Sequence, residues 1–113
     1  MHEMALAESV LQIVEDAARR EGLRRGRAVW LEIGQLASVE PEAMRFCFDA
    51  VTRDSVAAGA RLEISATAGA AWCAECVAPV ALAALGDACP RCGGYRLRVT
   101  GGTEMRVTEM EVE

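Results

Sequence analysis

The chain has 113 residues and a mass of 12.1 kDa, which is enough for one compact domain or for a small domain with a satellite module. Charged residues make up 26% and hydrophobic residues 52%, a composition that indicates a globular protein and excludes a disordered one. The net charge of -5, with no Lys in the chain, argues against binding to nucleic acid or to a membrane surface through a basic face.

Two features of the sequence bear on the location of the protein. The longest uncharged stretches, residues 64–74 and 76–86, are too short to cross a bilayer. The first four residues include an acidic side chain, Glu3, where a signal peptide carries basic ones. We therefore expect no export signal, no membrane partner and a cytoplasmic location.

The first half of the chain predicts two helices and two strands in alternation. Apolar residues recur at helical spacing from about residue 3 to residue 20, and Gly22 is a suitable stop. Residues 27–34 alternate between two faces, as a strand does. Pro41 suits a first helical turn, so we expect a second helix from there to about residue 53, followed by a strand over residues 61–66.

The end of the chain predicts one more strand, over residues 103–113. Its apolar residues change parity, because Met105 and Val107 share one face whereas Met110 and Val112 share the other. We therefore expect a bulge or a change of register. A terminal strand needs a partner, and the sheet that precedes the cysteine-rich segment is the one available.

These elements predict an α+β fold in which two helices pack on a three-stranded sheet, with an inserted four-cysteine zinc-ribbon module. The cysteine-rich segment, at about residues 69–98, precedes the last strand. We expect a larger α/β domain formed by residues 1–66 plus 103–113, and a zinc-binding domain formed by residues 67–102.

Four of the five cysteines form two Cys-x-x-Cys pairs with twelve residues between them: Cys73, Cys76, Cys89 and Cys92. Two residues between thiols allow each hairpin tip to aim both sulfurs at one point, and two facing tips form a tetrahedral site that suits Zn(II). The second tip carries Pro90 and Gly93, which favour such a turn, whereas the first tip has neither residue type. Four thiolates leave no open coordination position, so we expect a structural zinc.

Two other uses of these cysteines stay open. A redox dithiol of thioredoxin type needs one Cys-x-x-Cys pair at a strand-to-helix junction, and structural disulfides need an oxidising compartment. Both are less well supported than zinc. The fifth thiol, Cys47, lies at helical spacing with Met44, Phe48 and Val51, so we expect a buried core cysteine.

The single histidine, His2, lies beside the α-amine of Met1. A large residue at position 2 disfavours removal of Met1, so the amine should stay next to the imidazole. With nearby backbone nitrogens, these groups can form fused chelate rings around Ni(II) or Cu(II), which prefer planar nitrogen donors. Glu3 could supply an oxygen or orient His2. On the residues alone, an N-terminal histidine without any function is the alternative.

Three stretches accompany the cysteine pairs: residues 1–7 (MHEMALA), residues 34–41 (GQLASVEP) and residues 101–107 (GGTEMRV). In combination with the two Cys-x-x-Cys pairs, they resemble the HypA/HybF family over essentially the whole chain. The resemblance implies a nickel metallochaperone for the maturation of [NiFe]-hydrogenase and, in some organisms, of urease.

The resemblance also implies the ligands and partners. The nickel site of the family falls on Met1 through its amine, on His2 through its side chain and backbone, and on Glu3. The structural zinc falls on the four paired cysteines. The implied partners are a HypB-like GTPase and a hydrogenase large subunit, and a homodimer is one open oligomeric state.

Two other classes of function are weighed against a metal carrier. The alternative is a zinc-ribbon module that binds another protein without a second metal; a nucleic-acid version is weakened by the acidic charge and the few aromatic residues near the tips, Trp72 and Tyr95. A lone histidine and a closed thiolate site offer no nucleophile–base pair, so we expect no enzyme activity. The apolar loop at residues 77–86 would pack over the zinc module or contact a partner.

Overall fold

Two helices and six strands make up the computed structural model, which describes residues 2–113. In chain order they are α1 (His2–Glu21), β1 (Gly26–Gly34), α2 (Pro41–Thr52), β2 (Arg61–Thr67), β3 (Ala70–Cys73), β4 (Ala78–Ala81), β5 (Leu97–Gly101) and β6 (Met105–Val112). The predicted α+β fold is confirmed, and the predicted helices and strands begin and end within a few residues of those observed.

The strands form two three-stranded sheets. The first has the order β2-β1-β6, so the terminal strand joins the sheet that precedes the cysteine-rich segment, as predicted. The second has the order β4-β3-β5 and lies entirely within that segment. Both neighbours of β3 run antiparallel to it. The cysteine-rich segment is therefore a sheet of its own, inserted before the last strand.

Each helix buries one face, which is apolar in α1 and apolar except for Thr52 in α2. The buried residues of α1 are Ala7, Val10, Val14 and Ala17, and those of α2 are Met44, Cys47, Phe48 and Thr52. Both sets follow the spacing of three or four residues that places side chains on one helical face. The two helices contact each other. Cys47 is buried, as predicted, and lies next to the fully buried Phe48.

The chain folds as two compact units, which we call the helical unit and the cysteine unit. The helical unit comprises the chain up to Leu31, together with Val39–Ile64 and Val107–Glu113. The cysteine unit comprises Glu32–Ser38 and Ser65–Arg106. It has its own core, formed by Leu36, Ala71, Cys73, Val80, Leu82 and Cys89.

Backbone segments cross closely within the cysteine unit where glycines leave room for them. A Cβ atom on Gly34 would lie 2.2 Å from the carbonyl oxygen of Gly102. A Cβ atom on Gly102, which has a φ of +83°, would lie 2.6 Å from the α-carbon of Gly69. The N–H of Leu36 donates to the carbonyl of Gly102 at 2.7 Å. This crossing holds Leu36 in the core of the unit.

Burial along the terminal strand β6 follows the apolar pattern of the sequence only in part. Met105, Val107 and Met110 are half-buried, whereas Val112 is exposed. The bulge expected from this pattern stays a prediction. At the end of the chain, the guanidinium of Arg27 pairs with the carboxylate of Glu113 at 2.7 Å. Among residues 2–113, no helix has both the length and the apolar character needed to span a bilayer.

Candidate metal centre

The four paired cysteines converge on one point. All of their sulfurs lie within 4.8 Å of one another. The Cys73 and Cys92 sulfurs are 3.7 Å apart, and the Cys76 and Cys89 sulfurs are 3.9 Å apart. Four sulfurs bound to Zn(II) at about 2.3 Å lie about 3.8 Å from one another at the corners of a tetrahedron. The spacing of these thiols therefore fits a tetrahedral zinc ion.

Local sequence places the sulfurs at two turns. The first turn follows β3, which ends at Cys73, and leads into β4. The second turn is closed by the N–H of Gly93, which donates to the carbonyl of Cys89 at 2.8 Å. Neither pair lies at a strand-to-helix junction, and all five cysteines are free thiols. The geometry thus favours a metal site over a thioredoxin-type dithiol or a disulfide framework.

Backbone amides point at the sulfurs from within each turn. The N–H of Cys76 donates to the Cys73 sulfur, and that of Gly94 donates to the Cys92 sulfur, both at 3.4 Å. The N–H of Arg91 donates to the Cys89 sulfur at the same distance. Hydrogen bonds of this kind stabilise the thiolate, which is the form that binds a metal ion.

The residue after each Cys-x-x-Cys pair adopts the left-handed backbone conformation. Gly93 has a φ of 76°, and Val77, at the equivalent place in the first tip, has a φ of 51°. Glycine is the residue that this conformation favours, and a β-branched residue is a rare exception. The lack of glycine in the first tip therefore did not prevent the turn, but it placed a valine in a strained conformation.

The thiols differ in how readily they ionise. Burial raises the pKa of the Cys76 thiol to about 12, and hydrogen bonds to the other three sulfurs act in the same direction. Burial also opposes ionisation of Cys89, but backbone N–H groups of Cys92 and Arg91 outweigh it and lower the pKa of Cys89 to about 7. Cys89 therefore ionises near neutral pH, whereas metal binding must displace a proton from Cys76.

The number of cysteine ligands, and not their burial, would make the cluster a closed site. Cys73 and Cys89 are buried, Cys76 is half-buried and Cys92 is exposed. A salt bridge between Glu75 and Arg96, at 3.0 Å, links the first turn to the residue before β5. With four thiolates as ligands, a zinc ion would have no free coordination position for a substrate. The arrangement suits a structural metal and offers no catalytic position.

The structure describes two of the three residues predicted to bind nickel. His2 is the first residue of α1 and is exposed, and Glu3 follows it in the first turn. Met1, whose amine is the third predicted ligand, lies outside the described residues. The first N–H groups of a helix have no intrahelical acceptor, so the backbone nitrogens of His2 and Glu3 are not committed to the helix.

Sequence reasoning did not foresee that Glu40 lies beside Glu3. The N–H of Glu40 donates to the Glu3 carboxylate at 3.1 Å, and this hydrogen bond lowers the pKa of Glu3. The Glu40 side chain in turn accepts a hydrogen bond from the N–H of Glu42 at 2.8 Å, as an N-cap of α2. The position of Glu40 directly before Pro41 indicates that Glu40 caps α2. No feature of the sequence indicates that Glu40 lies close to Glu3.

The apolar loop is divided between the core and the surface. Val80 and Leu82 are buried in the core of the cysteine unit, whereas Val77 and Leu85 are exposed. Part of the loop therefore packs within the cysteine unit, which agrees with the expectation that the loop packs over the zinc module. Whether the exposed part contacts a partner stays a prediction.

Comparisons with known proteins agree on one family. A family model described as "Hydrogenase/urease nickel incorporation, metallochaperone, hypA" matches residues 1–112. The chain is 66% identical to hydrogenase maturation factor HypA of Albidiferax ferrireducens and 59% identical to that of Dechloromonas aromatica. Each of these two alignments spans 113 residues and covers 100% of both chains.

Two solution structures share the fold. The Ni metallochaperone HypA from Helicobacter pylori is similar with a TM-score of 0.69 and 22% identity, over 97% of this chain and 96% of that one. A second structure, described as HypA protein, has a TM-score of 0.72 and 23% identity, over 100% of this chain and 97% of that one. At such identities the structures support the fold alone, whereas the full-length relatives and the family model show that the chain belongs to the HypA family.

Proposed function

We propose that this chain binds Ni(II) at its N-terminus and delivers it for the maturation of [NiFe]-hydrogenase, with urease as a further client. A second metal, Zn(II), is held by Cys73, Cys76, Cys89 and Cys92 and has a structural role. The chain belongs to a family of nickel-incorporation metallochaperones, and its four clustered thiols fit a metal site. We propose no catalytic activity for it.

The observation that carries the nickel proposal is the placement of the exposed His2 and the half-buried Glu3 in the first turn of α1. The imidazole of His2 and two backbone nitrogens without helical acceptors are nitrogen donors, and we propose that the amine of Met1, next in sequence, completes the set. Nickel accepts such a planar set, which differs from the tetrahedral set of the thiolates. An exposed site also suits a metal that must be handed to another protein.

The nickel and zinc ligands come from different parts of the chain. We propose that residues 1–66 plus 103–113 form the nickel-binding α/β domain and that residues 67–102 form the zinc-binding domain; the compact units divide the chain differently, with residues 32–38 and 103–106 in the cysteine unit. Glu3 is held by the N–H of Glu40 at the start of α2. This hydrogen bond restrains the carboxylate close to His2, where it can supply an oxygen ligand or orient the imidazole.

A titration of Ni(II) into zinc-loaded protein with an unmodified N-terminus tests this proposal. We expect about one Ni(II) per chain for the wild type and loss of nickel binding in His2→Ala, because the imidazole is the one side-chain nitrogen in the proposed donor set. The matched control is Gln12→Ala, also exposed on α1. Zinc content should stay near one per chain in both variants. Equal loss of both metals from His2→Ala would refute separate sites.

A second candidate function is a zinc-ribbon module that binds another protein without carrying nickel. It is favoured by one observation: within residues 2–113, the four cysteines are the one group of three or more potential metal-binding side chains. Absence of nickel binding would support this alternative, whereas nickel binding that is unchanged in His2→Ala would contradict the N-terminal site.

The proposed partners follow from the proposed role. A HypB-like GTPase and a hydrogenase large subunit would exchange nickel with the N-terminal site, and we propose that this exchange takes place in the cytoplasm. A homodimer is one form in which the chain could act. Co-purification of the wild type, but not of a variant that lacks the N-terminal donors, would support direct transfer.

A further inference from the structure

The sheet of the cysteine unit has two outer strands, β4 and β5. An edge strand presents N–H and C=O groups that an extended chain can bind, unless the edge is protected. Along an antiparallel strand, one residue directs its N–H and C=O toward the partner strand and the next residue directs them toward the open side. We call this alternation the phase of the strand pair, and one observed hydrogen bond sets it for each edge.

The β4 edge is protected by proline. The N–H of Leu82 donates to the carbonyl of Gly69 at 3.0 Å, which sets the phase of the β3–β4 pair. Alternation from this bond turns the backbone of Pro79, the partner of Trp72, away from β3. Because proline has no N–H, a strand added at this edge would lack a hydrogen bond there.

The β5 edge has no such protection. The N–H of Ala74 donates to the carbonyl of Arg96 at 3.0 Å, which sets the phase of the β3–β5 pair. Two residues further along β5, Arg98 lies opposite Trp72. Like Arg96, Arg98 therefore directs its backbone groups toward β3. Val99 therefore directs its N–H and its C=O away from β3. An extended chain would find one donor and one acceptor at Val99, whose residue surface is 38% exposed.

Charge determines which kind of strand this edge would accept. Arg96 and Arg98 are two residues apart, so their side chains lie on the same face of the sheet. Arg96 is paired with Glu75, whereas Arg98 is exposed and has no ion-pair partner among the described residues. A carboxylate on an adjacent strand would be stabilised beside Arg98, and a second copy of β5 would be repelled.

We propose that the β5 edge binds an extended, acidic segment of a partner protein as an additional strand. The backbone of Val99 supplies the hydrogen bonds, and Arg98 contacts a carboxylate of the incoming segment. In this mode of recognition, main-chain hydrogen bonds provide affinity and alternate side chains provide specificity. The surface contains none of the residues proposed to bind nickel or zinc, so it can act while both metals are in place.

Binding of a model peptide to the full-length, zinc-loaded protein tests the proposal. The probe is a fluorescent peptide in which glutamate and valine alternate, and anisotropy measures its dissociation constant. We expect saturable binding that weakens with added salt, and at least about tenfold weaker binding of a matched probe with lysine in place of glutamate. No saturable binding of the acidic probe up to about 1 mM, or equal binding of both probes, would overturn the proposal.

Two proline variants separate this edge from the opposite one. Val99→Pro removes the outward N–H without removing a hydrogen bond to β3, and Ala81→Pro does the same on the β4 edge. We expect Val99→Pro to weaken binding of the acidic probe by about tenfold or more and Ala81→Pro to leave it unchanged. Wild-type affinity in a folded Val99→Pro protein would contradict strand addition.

Charge reversal provides a test that leaves the backbone intact. Arg98→Glu is expected to reverse the preference between the acidic and the lysine probe, and zinc content verifies that the variant is folded. An unchanged preference between the two probes would overturn the proposal. This test remains decisive even if Val99→Pro does not fold. Nickel binding should be the same in Arg98→Glu as in the wild type, so this result does not depend on the proposed metal delivery.

Discussion

Val77 follows the second cysteine of the first tip and has a φ of 51°, whereas the equivalent residue of the second tip is glycine. The left-handed region costs an ordinary residue roughly 1–2 kcal/mol, and a β-branched side chain is especially disfavoured there. Val77 is 71% exposed, so burial of its side chain offsets little of this cost. The metal centre therefore carries local backbone strain in one of its two turns.

Val77→Gly is expected to raise the free energy of unfolding of the zinc-loaded protein by about 0.5–1 kcal/mol. The strain energy that glycine relieves in the folded state exceeds the free energy by which its greater conformational entropy stabilises the unfolded chain. Chemical denaturation measures the change. Ala74→Gly is the control, because Ala74 lies in the same turn without a left-handed backbone. A less stable Val77→Gly protein would show that the valine side chain contributes more than the strain costs.

The hydrogen bond from Glu40 to Glu3 predicts a dependence of stability on pH. It holds the pKa of Glu3 below its usual value of 4.5. A carboxyl group with a lowered folded-state pKa stabilises the fold above its unfolded pKa, and this contribution disappears as the pH falls through the folded-state value. Charge on Glu3 therefore favours the folded protein at neutral pH.

In the nickel-free protein, Glu3→Gln should unfold at a lower temperature than the wild type at pH 7. The difference should shrink as the pH falls from 4.5 through the lower folded-state pKa of Glu3, because the carboxylate of the folded wild type then becomes protonated. Glu8→Gln, on the same helix, is the matched control. A difference between Glu3→Gln and wild type that stays constant from neutral to acidic pH would contradict this role of the hydrogen bond.

At the scale of elements, we expect the short strands of the cysteine unit to depend on the proposed metal centre. β3 and β4 have four residues each, and β5 has five. The core of the unit has six buried residues, and two of these, Cys73 and Cys89, belong to the cluster. Cores of this size rarely stabilise a fold without a metal or another crosslink.

Removal of zinc by a chelator is therefore expected to unfold the second sheet before the helices. Hydrogen–deuterium exchange should show loss of protection in β3, β4 and β5, while the amides of α1 and α2 stay protected. Cys73→Ser should reproduce this pattern without a chelator. Full protection of β3 in the metal-free protein would contradict a structural role for the metal.

The same elements show which parts of the structure can be predicted from sequence. The helices α1 and α2 and the strand β1 have long, regular apolar patterns, and the spacing of the cysteine pairs is itself a geometric constraint. β3 and β4 are too short, and too rich in alanine, for alternation to reveal them. The crossing that holds Leu36 in the cysteine unit and the hydrogen bond between Glu3 and Glu40 join distant residues, so local patterns carry no signal for them.

At the scale of the whole molecule, two kinds of metal chemistry are proposed for one short chain. Four thiols cluster in the cysteine unit, and their spacing fits a closed, tetrahedral metal site. The proposed N-terminal donors are predominantly nitrogen, and His2 is exposed, which would suit a different metal and permit its release. The difference in ligand type is what would keep nickel out of the zinc site and zinc out of the nickel site.

Native mass spectrometry of the full-length protein, after addition of one equivalent of Ni(II), tests this separation most directly. We expect the main species to contain one Zn(II) and one Ni(II) per chain. Acetylation of the N-terminal amine, which removes one proposed donor, should abolish nickel binding and leave zinc in place. A main species in which nickel has replaced zinc, or nickel binding that acetylation leaves unchanged, would contradict two separate sites.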